Sequence, residues 1–318
     1  YSSFCKMGHY DDALMDELVD NIYSCGSVCI KLCQWIIPTL EFMHIDQHQL
    51  VDLTYEKPLW LRNLYRVYEH CPEHSLRYTY SEYERMFHKS FTQDYRIISC
   101  IGSGSIGQVY KIQSIHTETY YAMKIIHPHI DRDITFFECL YTLVNWFLCM
   151  WKGVYAYFPV YIPDFIKSFR EQSDFVNEAN NLIKMRETYK DNPYLIFPNP
   201  ICISSNILIM EYVEGEVFQN TDDISVYVKT KLFMIFYLYT RTMTLVHNFN
   251  HGDLHMSNWK IRKADTSLGY EIIIYDFGFC WSMPESRKCL ITNAVDLFES
   301  MNNTVNDRDI SLFADIMY

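Results

Sequence analysis

The most specific chemistry-bearing run in this chain is His251-Gly252-Asp253-Leu254-His255-Met256-Ser257-Asn258, followed after a short hairpin by Asp276-Phe277-Gly278. Asp253 is spaced to act near an acceptor hydroxyl. The amide of Asn258 and the carboxylate of Asp276 are hard oxygen ligands, the kind that hold Mg²⁺ against phosphates. Upstream, Gly102-Ser103-Gly104-Ser105-Ile106-Gly107-Gln108-Val109 gathers three glycines into one loop. Without a Cβ in the way, backbone N–H groups there can approach phosphate oxygens. The same glycines would fit a dinucleotide-binding turn or a flexible hairpin. A dinucleotide fold needs a helix after the third glycine, whereas Val109-Tyr110-Lys111-Ile112 alternates as a strand folded back over the loop.

Ala122-Met123-Lys124-Ile125 sets a lysine among apolar residues in the next strand. A lysine on an edge strand would point to solvent, but one facing inward is costly to bury unless an anion meets it. The glycine loop just upstream favours a phosphate as that anion. In the helical run from Phe169 to Asn181, Glu178 is the candidate to pair with Lys124, an assignment that any helix with a glutamate would allow. Together the glycine loop, Lys124, Glu178, Asp253 with Asn258, and Asp276-Phe277-Gly278 follow the order of the protein-kinase motifs. Nucleotide-phosphate chemistry is the expectation.

The elements that must position these groups change in kind along the chain. Residues 10–37 have helical spacing interrupted at Gly26, and a second helical region runs over 48–90, broken at Cys71-Pro72. From Tyr95 the pattern becomes an antiparallel meander: strands over 95–101, 108–115 and 120–126, with the glycine loop at the first corner. Helices are expected over 134–151 and 164–190. A hairpin follows over 197–203 and 207–213 with Ser204-Ser205-Asn206 as its turn, then a long helix over 224–249, a small hairpin over 260–275 and terminal helices. The most apolar stretch, 140–163, is broken by Lys152, Gly153 and Pro159 and reads as buried helix plus loop. The fold class is α+β: a bilobal, protein-kinase-like arrangement with a helical extension at 1–94, a β-rich N-lobe at 95–213 and an incomplete helical C-lobe at 214–318.

Composition bounds what such a molecule can be. With 318 residues, 49% hydrophobic and 21% charged, the chain can form a sizeable core, and a disordered tail or a fibre is excluded. A net charge of −12 is the wrong sign for non-specific nucleic-acid binding. Eleven scattered cysteines, with no CxxC pair, read as reduced residues of an intracellular protein. Cys25, Cys29 and Cys33 fall on one helical face, expected to be a packing face and not a metal site. Because the sequence starts at Tyr1 and not Met, it is expected to be part of a longer chain, and no targeting segment is read from it.

From Gly26 to beyond Gly278 the sequence resembles the ABC1/UbiB atypical kinases. His251 to Asn258 looks like that family's H-x-D-L-H-P-G-N, Asp174 to Asn181 like its D-x-x-x-E-A-x-N helix, and Gly26 to Gln34 like its N-terminal G-x-x-x-I-K-x-G-Q signature. The resemblance implies that Lys124 contacts the α/β-phosphates, that Glu178 holds Lys124, and that Asp253 is the catalytic-loop carboxylate. It also implies that Asn258 and Asp276 bind Mg²⁺ and that ATP lies against Gly102, Gly104, Gly107, Val109, Ala122, Glu211 and Val213. Lys31 and Gln34 become regulatory residues on a helix that occupies the groove where a peptide would bind, which argues against protein substrates. The sequence departs from the family at the glycine-rich loop, usually alanine-rich, at Cys33 in place of a glycine, at Gln172-Ser173-Asp174 in place of E-x-D, and at Met256-Ser257 in place of P-G.

The resemblance therefore implies an ATP- and Mg²⁺-dependent kinase or ATPase acting on a small-molecule or lipid-related substrate, in isoprenoid-quinone or lipid metabolism. It would work at the periphery of a mitochondrial, plastid or bacterial-type membrane. The alternatives are a nucleotide-binding pseudokinase that scaffolds a partner and, less favoured because no A-P-E segment follows Gly278, a true protein kinase.

Overall fold

The computed structural model describes residues 12–44, 58–68, 71–148, 161–218 and 224–287. They fall into two compact units: one runs to Asn177 and takes in Pro200–Tyr212, the other comprises Glu178–Asn199 and the chain from Val213.

The first unit opens with helices α1 (Asp12–Ser24), α2 (Ser27–His44) and α3 (Leu59–Tyr65). The break between α1 and α2 is at Gly26, whose φ of +85° is a left-handed conformation that side chains resist. Val19, Ile30, Ile37, Leu61 and Val67 form the small core these helices share. Then α4 (Leu76–Phe87), capped by the Ser75 hydroxyl accepting from Tyr78 N, and the short α5 (Phe91–Asp94) lead into the sheet.

The sheet comprises β1 (Tyr95–Ser103), β2 (Gly107–Ser114), β3 (Tyr120–Ile126), β5 (Pro200–Ile203) and β6 (Ile207–Glu211), in the order β1-β2-β3-β6-β5 and antiparallel throughout. One face carries Tyr110, Ile112, Met123, Ile125, Ile207 and Ile209, buried against Tyr83 of α4 and Phe91 of α5. At about 1.5–3 kcal/mol per large apolar side chain, this layer is the main stabilising contact of the sheet. The two sides of β3 thus have separate jobs, since Lys124 must point away from this core.

Helices α6 (Ile130–Leu148) and α7 (Ile162–Gln172) complete the unit, and α8 (Phe175–Thr188) starts in it. Phe165 of α7 meets Trp35 of α2 edge-on at 5.5 Å and Phe137 of α6 at 6.0 Å. Two expectations change here. The single helix over 164–190 is two, because Asp174 Oδ1 accepts from Val176 N and starts α8 afresh. The apolar stretch from 140 is not buried in its described part: Leu143 and Trp146 are 55% and 65% exposed. The helix meets its neighbours along the stripe of Ile130, Ile134 and Phe137, so Phe136, Leu140, Leu143, Val144 and Trp146 face outward.

In the second unit, β4 (Leu195–Ile196) pairs in parallel with β9 (Tyr270–Ile274), which forms a hairpin with β8 (Trp259–Lys263). The helix α9 (Val226–Leu245) begins at Ser225, whose hydroxyl accepts from Val228 N, and β7 (Asn250–His251) pairs with β10 (Cys280–Trp281). Tyr189, Phe197, Tyr239 and Phe277 form an aromatic core. Among the described residues no helix is long and apolar enough to cross a membrane. The terminal helices expected after Gly278 lie outside the described residues beyond 287.

Candidate functional site

In the first unit the register aligns the expected nucleotide face. Val109 sits opposite Lys124, Lys111 opposite Ala122, and Gly102 opposite Val109. Across β6, Ala122 and Lys124 face Met210 and Leu208. Alternation puts Val109, Ala122, Lys124, Leu208 and Met210 on the side away from the aromatic core. Glu211 lies opposite Tyr121, on the other side, so on this face it offers backbone groups and not its carboxylate. The Lys124 ammonium stands 5.3 Å from the ring centroid of buried Phe175, at the start of α8.

The loop between β1 and β2 is closed by Gly104 N donating to Gly107 O at 2.9 Å. Gly107 is required by packing: a Cβ there would lie 2.6 Å from the Ile125 carbonyl oxygen. Gly102 and Gly104 have no such constraint, with open space at the first and ordinary contact at the second. Gln34 reaches this loop. Ser105 Oγ donates to Gln34 Oε1 at 3.3 Å, while Gln34 Nε2 donates to the Val67 carbonyl at 3.1 Å. Lys31, one turn earlier, is buried and acts electrostatically on Cys71. Cys29 and Cys33, on the same helix, are both pushed up by burial, Cys29 to about 11.

The second unit gathers the remaining groups. His251 is buried, which holds it below the ordinary histidine value; its Nε2 donates to the Tyr275 carbonyl at 2.9 Å, and its Nδ1 accepts from Asp253 N at 3.2 Å. The imidazole thus fixes both the start of the Asp253 turn and the strand end before Asp276. Asn258 makes a second tie. Its backbone carbonyl accepts from Tyr275 N at 2.9 Å, and its Nδ2 donates to the Asp253 carbonyl at 2.8 Å and lies 3.1 Å from His255 Nε2. The Asp253 carbonyl only accepts, so this shorter contact takes the amide nitrogen. Asn258 Oδ1 is left without a protein partner among the described residues, on a residue that is 8% exposed.

Asp276 adopts φ +57°, an uncommon conformation for a residue with a side chain. Phe277 behind it is buried against the His251 ring at 4.9 Å, and Asn181 Nδ2 holds its carbonyl at 2.9 Å. Gly278 is flanked by two carboxylates: a Cβ there would lie 3.3 Å from Asp276 Oδ1 and 3.5 Å from Glu178 Oε2. The same two acids, after burial, push the Cys280 thiol up to about 12. Val213 is buried and its carbonyl accepts from Tyr275 OH at 2.8 Å.

The structure thus gathers Gly102, Gly104, Gly107, Val109, Ala122, Lys124, Lys31 and Gln34 in one unit with Glu211, and Glu178, Asp253, Asn258 and Asp276 in the other with Val213. Sequence reasoning passed over Phe175, His74 and His127, which line or hold the glycine-loop side, and Tyr275, which ties three segments of the second unit. None has a spacing signal of its own. At the family's E-x-D position, Gln172 is buried and donates to Ser168 Oγ at 2.9 Å.

Residues 66–307 match the family described as the ABC1 atypical kinase-like domain. The chain is 27% identical over 257 residues to the Dictyostelium discoideum protein named "Probable serine/threonine-protein kinase abkC", covering 78% of this chain and 35% of that one. It is 24% identical over 273 residues to the Schizosaccharomyces pombe "ABC1 family protein MCP2 homolog", covering 76% and 45%. It therefore spans less than half the length of these relatives. Others carry names that place them in chloroplasts or mitochondria. Among solved structures, the Mycobacterium tuberculosis Rv3197–erythromycin complex superposes with a TM-score of 0.55 at 18% identity, over 75% of this chain and 64% of that one, and shares its fold. With the motif order and these matches, the chain belongs to the ABC1 atypical kinase-like family and has that family's mixed α+β, kinase-like fold.

Proposed function

We propose that the chain binds Mg²⁺-ATP and transfers or hydrolyses its γ-phosphate, acting on a small-molecule or lipid-related substrate. The observation that carries this reading is Asn258: a nearly buried amide with its nitrogen engaged and its oxygen unpaired among the described residues, one hydrogen bond from the strand end that leads into Asp276. An unpaired hard oxygen, on a residue whose backbone is bonded to the strand end just before the Asp276 carboxylate, fits Mg²⁺. Asn258 and Asp276 would hold the ion, which when bound supplies positive charge to the phosphates. Lys124 adds a second positive charge, with Glu178 assigned to orient it, and Asp253 accepts the proton of the attacking hydroxyl or water. The glycine loop offers backbone N–H groups to phosphate oxygens.

The substrate class rests on the family resemblance. Isoprenoid-quinone or lipid metabolism at a mitochondrial, plastid or bacterial-type membrane periphery is part of the proposal, and the names of the relatives agree with such compartments. The acidic charge disfavours nucleic acid. A nucleotide-binding scaffold without turnover is the second reading. Gln172, turned to Ser168 where the family has an acid, favours it. ADP formation with Mg²⁺-ATP, with and without quinone-like lipids, separates the two: turnover lost in Asp276→Asn supports the enzyme, and binding without turnover supports the scaffold.

A further inference from the structure

The glycine loop is held from behind by a chain of side chains outside the phosphate-binding groups. Tyr110 OH lies 3.1 Å from Thr79 Oγ1, and Thr79 Oγ1 lies 3.1 Å from His74 Nε2. His74 Nδ1 lies 2.8 Å from His127 Nδ1, and His127 Nε2 lies 2.9 Å from the Gly104 carbonyl oxygen. A carbonyl only accepts, so the His127 proton sits on Nε2 and its Nδ1 accepts. His74 must then donate from Nδ1 and accept at Nε2 from the Thr79 hydroxyl, which accepts in turn from Tyr110. One acceptor in the loop fixes the direction of every bond in the chain. The backbones add two more: His127 N donates to Ile106 O at 2.9 Å, and His74 N donates to Gln108 Oε1 at 3.0 Å.

We infer that His127 and His74 are positioning residues for the glycine loop, holding Gly104 in place as a neutral pair and releasing it on proton uptake, so that nucleotide retention is acid-sensitive. This rests on the reading of the loop as a phosphate cradle. A proton added to His127 turns its Nδ1 into a donor facing the Nδ1–H of His74. The chain absorbs one proton only by reversing, which leaves a cation out of water; a second sets two N–H groups against each other.

The surroundings do not compensate such a charge. Facing the pair are Tyr78 of α4, edge-on to His74 at 4.9 Å, Tyr110 of β2, Cys100 of β1 and Glu73 of the preceding segment. Cys100 and Glu73 are engaged by Gln108 Nε2, at 3.2 and 3.4 Å, and Asp131 of α6 acts on Tyr78. Among the described residues no carboxylate is bonded to either ring. Burial first, and then the His127 ring, pull His74 down to about 4; burial lowers His127 against the opposing pull of the Gly104 carbonyl.

Hydrogen exchange of the amides of 102–107, in the full chain without nucleotide at pH 7.5 and 5.5 and corrected for intrinsic rates, tests the chain directly. When the loop opens, the histidines regain their ordinary value near 6.5, so wild-type opening should rise up to about tenfold per histidine for each pH unit below it. His127→Gln keeps an amide donor for Gly104 and cannot titrate, so its loop should stay protected at pH 7.5 and lose the His127 share of the acid response, keeping at most the roughly tenfold per pH unit that His74 supplies. His127→Ala should be open at both values. A wild-type loop equally protected at both pH values, or an unchanged acid response in His127→Gln, overturns the inference. Mg²⁺-ATP affinity, measured alongside, should weaken from pH 7.5 to 5.5 in the wild type and weaken less in His127→Gln. If exchange behaves as stated but ATP binds at neither pH, the phosphate-cradle reading fails and the positioning role of the histidines in the free protein stands.

Discussion

Ser105 in the glycine loop donates a hydrogen bond to Gln34 of α2, 71 positions earlier, at 3.3 Å, and Gln34 passes the link on to the Val67 carbonyl at 3.1 Å. One side chain therefore joins the helical extension to the loop expected to hold phosphate. Gln34→Ala leaves the Ser105 hydroxyl and the Val67 carbonyl without this partner. Such a loss costs about 1–3 kcal/mol. Thermal unfolding should show a midpoint several degrees lower, with Gln34→Glu, which keeps the acceptor and loses the donor, in between. An unchanged midpoint in both variants contradicts the link.

The glycines of the loop should separate by role. Gly107→Ala drives a Cβ to within 2.6 Å of the Ile125 carbonyl, backbone of the adjacent strand that cannot turn aside, and should destabilise the protein by about 1–3 kcal/mol. Gly102→Ala meets nothing within 4 Å. Its melting midpoint should match the wild type, so any weakening of Mg²⁺-ATP binding by calorimetry reports on the ligand alone. A large stability loss in Gly102→Ala would contradict this division.

Gly278→Ala probes the acids around Asp276. A Cβ at 3.3 Å from Asp276 Oδ1 and 3.5 Å from Glu178 Oε2 crowds both carboxylates without meeting backbone. Mg²⁺-dependent ADP production should fall about tenfold or more, with the melting midpoint little changed. Equal turnover and equal Mg²⁺ dependence in this variant would remove these carboxylates from the site.

Acid should weaken the fold in two windows. Burial raises Glu82, but its bonds with Arg85 and Asn206 outweigh that and hold it below its ordinary 4.5. Its contribution is thus complete above 4.5 and is lost as pH falls below that value. His74 is held down to about 4, so the unfolded chain binds its proton first, and stability falls between 6.5 and 4. Urea midpoints at pH 7.5, 5.5 and 4 should decline in that order. Glu82→Gln should be less stable than the wild type at pH 7.5 by about 1–3 kcal/mol, and the difference should shrink below pH 4.5. A constant difference across the series would contradict the assignment.

What could be read in advance was local. Gly26 broke the first helix where the sequence indicated, the three strands fell around the glycine loop, and Ser204-Ser205-Asn206 turned the hairpin. The break between α7 and α8 was hidden because Phe169, Phe175, Ala179 and Leu182 are all buried and make one apolar run, while Asp174 acts through a single side-chain bond. The outward apolar face of α6 misled for a related reason: hydrophobicity says that a helix can be buried, and only its neighbours decide which stripe is. The pairing of β4 with β9 is two residues long and far apart in sequence, which no periodicity encodes. The His74–His127 contact, 53 positions apart, likewise exists only in the folded chain. At the candidate site, the motifs announced Asn258 and Asp276, but the amide orientation that leaves Asn258 Oδ1 unpaired depends on the Asp253 carbonyl being where the fold puts it.

Asn258 and Asp276 are proposed to hold the metal for phosphoryl chemistry on ATP. Steady-state ADP production by the full chain, titrated with Mg²⁺ for the wild type, Asn258→Ala and Asp276→Asn, tests it most directly. Mg²⁺-dependent turnover is expected in the wild type, with a rightward shift in Mg²⁺ requirement for Asn258→Ala and turnover at background for Asp276→Asn. ADP production that is unaffected in both variants, or absent from the wild type at every Mg²⁺ concentration, would contradict it.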